Sequence, residues 1–239
     1  DTETTALNAN EAEIVGLAIS YHKNEAYYVP LPENHKDCES ILSEFKEIFQ
    51  SEKIAKIGQN LKYDITVLLN YGIEVKGPIF DTMIAHYLIE PDARHNMDAL
   101  TEHYLNYSPV SIETLIEKKG KNQGSMRDVD PKKVAEYAGE DADITFQLKE
   151  KLARELKSNK QEKLFNEVET PLIAVLADME AAGVKVNRDT LKEISGELGK
   201  AAQETQSKIF DIAGAEFNVA SPKQLGEVLF DKMKLVEKP

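Results

Sequence analysis

Residues 131–152 read PKKVAEYAGEDADITFQLKEKL. Asp130 ahead of Pro131 marks a helix start: the aspartate supplies an N-cap acceptor, and proline, lacking an N–H, suits the first helical position. From there Val134, Tyr137, Asp141, Ile144, Leu148 and Leu152 recur at spacings of three and four and form one stripe of a helix running to about Leu156. Tyr137 and Asp141 sit one turn apart on that otherwise apolar, inward face, while Glu140 and Asp143 fall to the solvated side. A carboxylate facing a core is costly unless it is paired, hydrogen-bonded or metal-bound. The stripe alone does not choose between a structural ion pair and a working acid.

Upstream, GQNLKYDITVLLNYG (58–72) repeats the pattern. Leu61, Asp64, Leu68 and Tyr71 share a stripe, so Asp64 also faces inward, on a helix from about Leu61 to Tyr71 closed by Gly72. Stabilisation by the positive end of the helix explains an aspartate there equally well. The chain opens on DTET (1–4). Alternate residues of a strand share a face. If these four residues end a strand, Asp1 and Glu3 project side by side, and such close like charges need a proton or a cation between them. A solvated terminus accounts for the same two acids. Four carboxylates on three elements have one common explanation in a pair of divalent cations. Hard oxygen ligands suit Mg²⁺ or Mn²⁺, and two ions about 4 Å apart clamp the attacking and leaving oxygens of a phosphoryl transfer. Periodicity does not show that the four acids meet.

Around these stretches the pattern is mixed. Ile14 to about Val29 reads strand, turn, strand. Residues 38–49 read as a helix through Ile41, Leu42, Phe45 and Ile48, and 53–58 as a short buried strand. Asp81 caps a helix carrying Met83, Ile84, Tyr87 and Leu88, and another holds Met97, Leu100, His103 and Tyr104. Residues 117–131 read as a loop around KKGKNQG. From about residue 158 strand signals vanish. One helix carries Leu172, Val175, Leu176 and Met179 and ends near Gly183, a second runs from Asn187 to Gly214, and a third opens at Ser221-Pro222. A boundary near 158 therefore divides an α/β unit from a helical one.

With 239 residues, 41% hydrophobic and 30% charged, the chain is long enough for a sizeable core and has the composition of a soluble globular protein. No apolar run approaches a membrane span. The lone Cys38 offers no disulfide framework and fits a reducing compartment, and the five histidines lack zinc-ligand spacing. A net charge of −13 argues against sequence-blind duplex binding, which runs on Lys/Arg neutralisation of phosphates. It leaves room for a nucleic-acid enzyme whose positive charge comes from bound metal ions.

DTET, GQNLKYD (58–64) and YAGEDAD (137–143), in that order, resemble the three motifs of the tyrosine-containing branch of the DEDD exonuclease superfamily. FDTMIAHYLIEPDARHNMDAL (80–100) and KGKNQ (119–123) resemble more narrowly the 3′–5′ proofreading exonuclease domain of bacterial DNA polymerase I. EVETPLIAVLADMEAAGVKV (167–186) and FNVASPKQLGEVLF (217–230) resemble the segment leading into the thumb of family A polymerases. The resemblance implies an α/β, ribonuclease H-like exonuclease fold over 1–157, a mixed sheet flanked by helices with its first strand truncated. An incomplete, helical start of the polymerase domain follows over 158–239. The implied activity is two-metal-ion (Mg²⁺ or Mn²⁺) 3′–5′ exonuclease action on single-stranded DNA 3′ ends. It would serve proofreading in replication and repair, in the bacterial cytoplasm with a nucleoid-associated role. Palm and fingers are absent from this stretch, so it implies no polymerisation by this chain.

Carried over residue by residue, the resemblance has Asp1 bridging both ions, Glu3 and Asp141 completing the first, and Asp64 holding the second through water. Tyr137, with Glu3, orients the attacking water. Leu7 wedges near the terminal base, Gln59, Asn60 and Tyr63 contact the strand, and Arg94 takes a phosphate. Each has a plainer reading: Leu7 as core, Tyr63 as an ordinary helix residue, Gln59 and Asn60 as helix caps. Lys118, Lys119 and Lys121 form a basic loop that touches phosphates or is simply solvated. Two departures stand out. Ile112 occupies the place of a base-stacking phenylalanine. The strand that DTET would end is missing, so the chain reads as a piece of a longer polymerase. Asp1 then carries a free ammonium beside the metals, its carboxylate loses its fixing strand, and an exposed edge invites another chain. Two other readings are a ribonuclease D-like RNA exonuclease and a catalytically silent module bracing a polymerase. The oligomeric state is left open.

Overall fold

In a computed structural model of the chain, which describes residues 1–117 and 124–235, β1 (Thr2–Thr4) runs antiparallel to β2 (Ile14–His22). β2 turns at Asn24 into β3 (Glu25–Pro30), for a sheet order β1-β2-β3. Asn24 has φ +63, a left-handed conformation that asparagine tolerates better than most residues. The strand–turn–strand expected over 14–29 is therefore present, and Glu3 lies opposite Gly16.

The helix expected over 38–49 is two helices, α1 (His35–Ser43) and α2 (Lys46–Phe49). The amides of Glu44 and Phe45 bond three residues back, to the carbonyls of Ile41 (3.2 Å) and Leu42 (3.0 Å), and this tighter turn interrupts the α-helical ladder. The apolar stripe survives the break: Leu42 is buried and Phe45 packs against the same core. β4 (Lys56–Gly58) and β5 (Ile79–Asp81) pair in parallel, joined through α3 (Leu61–Leu69). Ile14, Leu17, Leu42, Val67 and Leu68 close the core between the first sheet, α1 and α3.

Next come α4 (Thr82–Ile89), α5 (Met97–Leu105), the short α6 (Glu113–Ile116) and α7 (Pro131–Ser158). Lys118, Lys119 and Lys121 lie outside the described residues. The Asp130 side chain accepts the Lys132 amide at 3.0 Å, so the cap and proline start expected for α7 are in place. Ile144, Leu148, Leu152 and Leu156 of α7 join Ala85, Leu100 and Phe165 in a second core. The N-terminal half of α7 lies on the first sheet. Val134 packs with Val15, and Ala138 and Ala142 pack with Ala18. Small side chains at that contact let the helix backbone come close to β2, which brings Tyr137 and Asp141 to the end of β1.

One buried carboxylate joins the two halves of the parallel unit. Asp81 caps α4 by accepting the amides of Met83 (2.9 Å) and Ile84 (3.2 Å). It also accepts the amides of Asn60 (3.3 Å) and Leu61 (2.7 Å) at the start of α3. The sequence shows its cap on α4; its hold on α3 comes from the parallel pairing, which sets Gly58 beside Asp81.

The mixed sheet expected from the resemblance is divided into two small sheets. Between β2 and β4 lies a cavity of about 370 Å³ lined by Leu17, Ile19, Ile57, Leu61, Leu68 and Phe146, among others. The two sheets stay separate because no strand in the described residues pairs with both sides of that gap.

After α7 come α8 (Glu162–Leu164), a π turn at Phe165–Glu169 and α9 (Thr170–Ala182). Packing carries the first unit past residue 158, to Gly183. Phe165 joins the second core, and Ile173 and Ala177 pack on Leu61 and Ile65 of α3. The apolar residues read on α9, Leu172, Val175, Leu176 and Met179, are exposed. That helix is apolar nearly all round, so periodicity does not select its inner face, and the neighbouring α3 takes the side with Ile173 and Ala177. The second unit, Val184–Pro239, contains α10 (Arg188–Ala213), capped by the Asn187 side chain and ended by Gly214 at φ +60, and α11 (Pro222–Gly226), capped by Ser221. Among the described residues no helix is long and apolar enough to cross a membrane.

Replacing Asp81 by alanine orphans four amides at the starts of two helices. The expected loss is about 3 kcal/mol of unfolding free energy, from the cost of a lost cap and of buried unpaired donors, read from urea denaturation.

Candidate active site

The acids are brought in from three elements. Glu3 is on β1 and only 6% exposed. Beside it, Gly16 is a glycine for a steric reason: a Cβ there would lie 2.0 Å from the Tyr28 hydroxyl oxygen. The Tyr28 ring closes over this part of the sheet, and burial with the nearby Glu3 charge pushes its hydroxyl up to about 12. Asp64, in the first turn of α3, is buried as its stripe implied. Its Oδ1 accepts both the Thr2 amide (3.0 Å) and the Thr2 hydroxyl (2.5 Å). Asp141 and Tyr137 are half-buried on the sheet-facing side of α7, and the Tyr137 hydroxyl donates to the Asp141 carboxylate.

These groups feel one another. Burial pushes the Glu3 carboxyl up to about 7, repulsion from Asp141 and Asp64 adds to it, and the Asp1 ammonium opposes it. Burial also pushes Asp141 up to about 7, with Glu140 and Asp98 adding negative charge, while the Tyr137 hydrogen bond pulls it down. Asp64 is raised by burial and held down by the Asp1 ammonium and the Thr2 bonds. Tyr137 is raised by burial and then by Asp141 and Glu3. Glu3, Asp64, Asp141 and Tyr137 are thus gathered into one electrostatic unit. Asp1 joins it through its backbone and ammonium. Its N–H donates to the Ala18 carbonyl at 3.0 Å and its carbonyl accepts the Ala18 amide at 2.9 Å, so the strand pairing reaches the first residue, while the residue as a whole is exposed.

Three members went unread in the sequence. Thr2 lies between the two acids of DTET, and only the pairing of β1 with α3 reveals its bond to Asp64. Asp98, in the first turn of α5, adds charge to Asp141 and Tyr137. Its signal in the sequence was the acid of NMDAL, which reads as a helix-start residue. Glu140, on the solvated side of α7 as read, still reaches Asp141 by its charge.

The residues expected to contact a strand are placed as follows. Leu7 is 75% exposed on the loop after β1, so it is not core. The Tyr63 hydroxyl pairs with the Thr4 hydroxyl (2.5 Å) and donates to the Ala6 carbonyl, tying α3 to the loop that carries Leu7. Gln59 is committed inside the protein: its Nε2 donates to the His95 carbonyl at 2.7 Å and its Oε1 accepts from Thr82. Asn60 is exposed, with φ +63, and its side chain makes no cap bond because Asp81 serves that helix end. Arg94 is exposed, and Ile112 precedes α6 with 37% exposure.

Among the described residues, no group of three or more His, Cys, Asp or Glu side chains stands in a cation-holding arrangement. The donor set nonetheless fits a hard cation. It is all oxygen and mostly buried, and Asp141 and Asp64 raise the proton affinity of Glu3, a strain that a bound divalent ion would relieve.

The α/β fold, with clustered carboxylates and a tyrosine at the end of β1, is consistent with a ribonuclease H-like exonuclease fold. The sequence model described as 3′-5′ exonuclease matches residues 1–157, and the one described as DNA polymerase family A matches residues 188–239. The chain belongs to the 3′-5′ exonuclease family found in family A DNA polymerases. It is 36% identical to DNA polymerase I of Pseudomonas aeruginosa, over 98% of this chain and 27% of that protein. It is 37% identical to DNA polymerase I of Borreliella burgdorferi, over 98% and 26%. The chain thus spans about a quarter of the length of the curated relatives it matches. Among solved structures, the POL domain of Pol1 from M. smegmatis superposes with a TM-score of 0.74 at 22% identity, covering 97% of this chain and 36% of that one. Brucella melitensis NrnC with bound Mg²⁺ superposes with a TM-score of 0.62 at 21% identity, covering 77% and 84%. Both likenesses support the fold.

A carboxyl raised from 4.5 to about 7 keeps its proton in the folded state after the unfolded chain has released it. The folded state then binds more protons across that window, so its stability falls as pH rises through it. Without divalent cations, the urea midpoint is expected to drop between pH 5 and pH 8, with a shallower drop in Glu3→Gln.

Proposed function

We propose that this chain hydrolyses the 3′-terminal phosphodiester of single-stranded DNA with the help of two divalent cations, Mg²⁺ or Mn²⁺, as the proofreading part of a family A DNA polymerase. What supports this most directly is the burial of Glu3 and Asp64 near Asp141, with Asp141 and Asp64 both repelling the Glu3 charge and the Tyr137 hydroxyl bonded to Asp141, in a chain of the 3′-5′ exonuclease family. The polymerase domain of the parent chain is the covalent partner, DNA replication and repair the process, and the bacterial cytoplasm the setting.

Asp1, Glu3 and Asp141 would hold one cation, and Asp64 would hold the second. Bound there, the ions would lower the pKa of a coordinated water and offset charge on the phosphate oxygens. Tyr137 and Glu3 would orient that water. The oxygen of the attacking water would bond to phosphorus, the bond from phosphorus to the 3′ oxygen of the penultimate sugar would break, and the water's proton would pass to that leaving oxygen through solvent. The products are a nucleoside 5′-monophosphate and a strand one nucleotide shorter with a 3′-OH. The protein's share is positioning and charge stabilisation. Leu7, projecting into solvent at the loop that Tyr63 anchors, would wedge against the terminal base, and Arg94 would meet a phosphate. Gln59 would act indirectly, since both ends of its amide are already taken.

Digestion of a 5′-labelled single-stranded DNA with Mg²⁺ or Mn²⁺ is expected to give a ladder shortened from the 3′ end, abolished by EDTA. Asp64→Ala is expected to slow it by at least about a hundredfold, in keeping with the loss of a charged group acting on the transition state. Faster loss of an RNA strand of the same sequence would favour the ribonuclease D-like reading, and no loss of either strand the silent module.

A further inference from the structure

Thr2 stands between the two acids Asp1 and Glu3, in the first position of β1. It meets Asp64, sixty-two residues further along the chain, through its main-chain amide as well as its hydroxyl. Two donors from this one residue converge on a single oxygen: the Thr2 amide at 3.0 Å and the Thr2 hydroxyl at 2.5 Å, both on Asp64 Oδ1. Thr2 and Asp64 are both buried, so water does not compete for these bonds. The amide is held in turn by the strand, since Thr2 is registered against Leu17 of β2. A carboxylate with one oxygen fixed by two donors has little freedom left about its last side-chain torsion. Its other oxygen, Oδ2, then has a set direction.

We infer that Thr2 is a positioning residue, which fixes the Asp64 carboxylate so that Oδ2 is presented to a divalent cation. This rests on the proposed function and assigns the middle residue of DTET a task of its own. The backbone donor survives substitution by valine, alanine or serine; of these, only serine keeps the hydroxyl. Partners that orient a ligating carboxylate are worth about 10–100-fold in metal affinity or activity when removed.

The test compares the full chain with Thr2→Val, which keeps the β-branched shape and loses the donor, and Thr2→Ser, which keeps the donor. Mn²⁺ affinity is measured by titration calorimetry, alongside kcat and KM for 3′ digestion of single-stranded DNA. The expected result is Mn²⁺ binding weakened about tenfold in Thr2→Val, with kcat lowered by a similar factor, KM for DNA unchanged, and recovery in Thr2→Ser to within about threefold. In an Asp64→Ala background, Thr2→Val is expected to cost nothing further in Mn²⁺ affinity, since the two residues act as one unit. Equal Mn²⁺ affinity and kcat in wild type and Thr2→Val would overturn the inference and leave the proposed function standing. So would an undiminished loss from Thr2→Val in the Asp64→Ala background, which would mark a general structural role. If Thr2→Val does not fold, Thr2→Ala takes its place and the Asp64→Ala comparison decides. A wild-type chain that binds no Mn²⁺ and digests no DNA would overturn the proposed function, and this inference with it.

Discussion

Carboxylates held out of water beside one another are the constraint on which the rest depends. A lone buried acid finds a hydrogen bond or gives up its charge. Here burial raises Glu3, Asp64 and Asp141 together, the other two acids raise Glu3 further, and Glu140 and Asp98 add negative charge at Asp141. A fold that keeps such a cluster at a loss in stability needs a compensating role for it, and the proposed divalent cation among oxygen ligands would provide one. The surrounding architecture makes sense as the means of holding the cluster together. The alanine contact between β2 and α7 lets the helix approach, the Thr2 bonds tie β1 to α3, and Asp81 pins α3 to α4.

Those three ties differ in kind. The alanine contact is close packing and works without charge, so it carries Tyr137 and Asp141 into place whatever their protonation. Asp81 is a structural carboxylate: burial raises it, and its bonds from backbone amides of two helices lower it. The Thr2–Asp64 pair stands between them, a structural bond made to an acid of the site. One residue type, buried aspartate, therefore plays two parts within a short stretch of chain. What separates them is the partner set. Asp81 is met by backbone donors, whereas Asp141 is met by a tyrosine hydroxyl and by other acids.

Much of this was legible before any coordinates. The stripe Val134–Tyr137–Asp141–Ile144 and the stripe Leu61–Asp64–Leu68 each place an acid inward by helical period alone, and both acids lie there. The three motifs in order carried the family. What period could not deliver was anything set by tertiary approach. The inner face of α9 went to Ile173 and Ala177 because a helix apolar on several sides leaves the choice to its neighbour. Asp81's hold on α3 needs the parallel register of β4 and β5, and the Thr2 bonds need the docking of β1 on α3, neither of which is a local property. The division of the sheet around the cavity between β2 and β4 likewise depends on which strands come together. Exposure separated two residues that read alike as strand contacts: Leu7 projects into solvent, and Gln59 is bound up within the fold.

The claim that carries the account is that the proposed cation site is kept partly protonated by burial and by neighbouring acids. The most direct measurement is calorimetric titration of the chain with Mn²⁺ at pH 7 in two buffers of different ionisation enthalpy, which counts the protons expelled per ion bound. Carboxyls raised to about 7 are about half protonated there, so binding should release about one proton in all, shared by Glu3 and Asp141. Binding whose heat is the same in both buffers, or no binding at all, would contradict it.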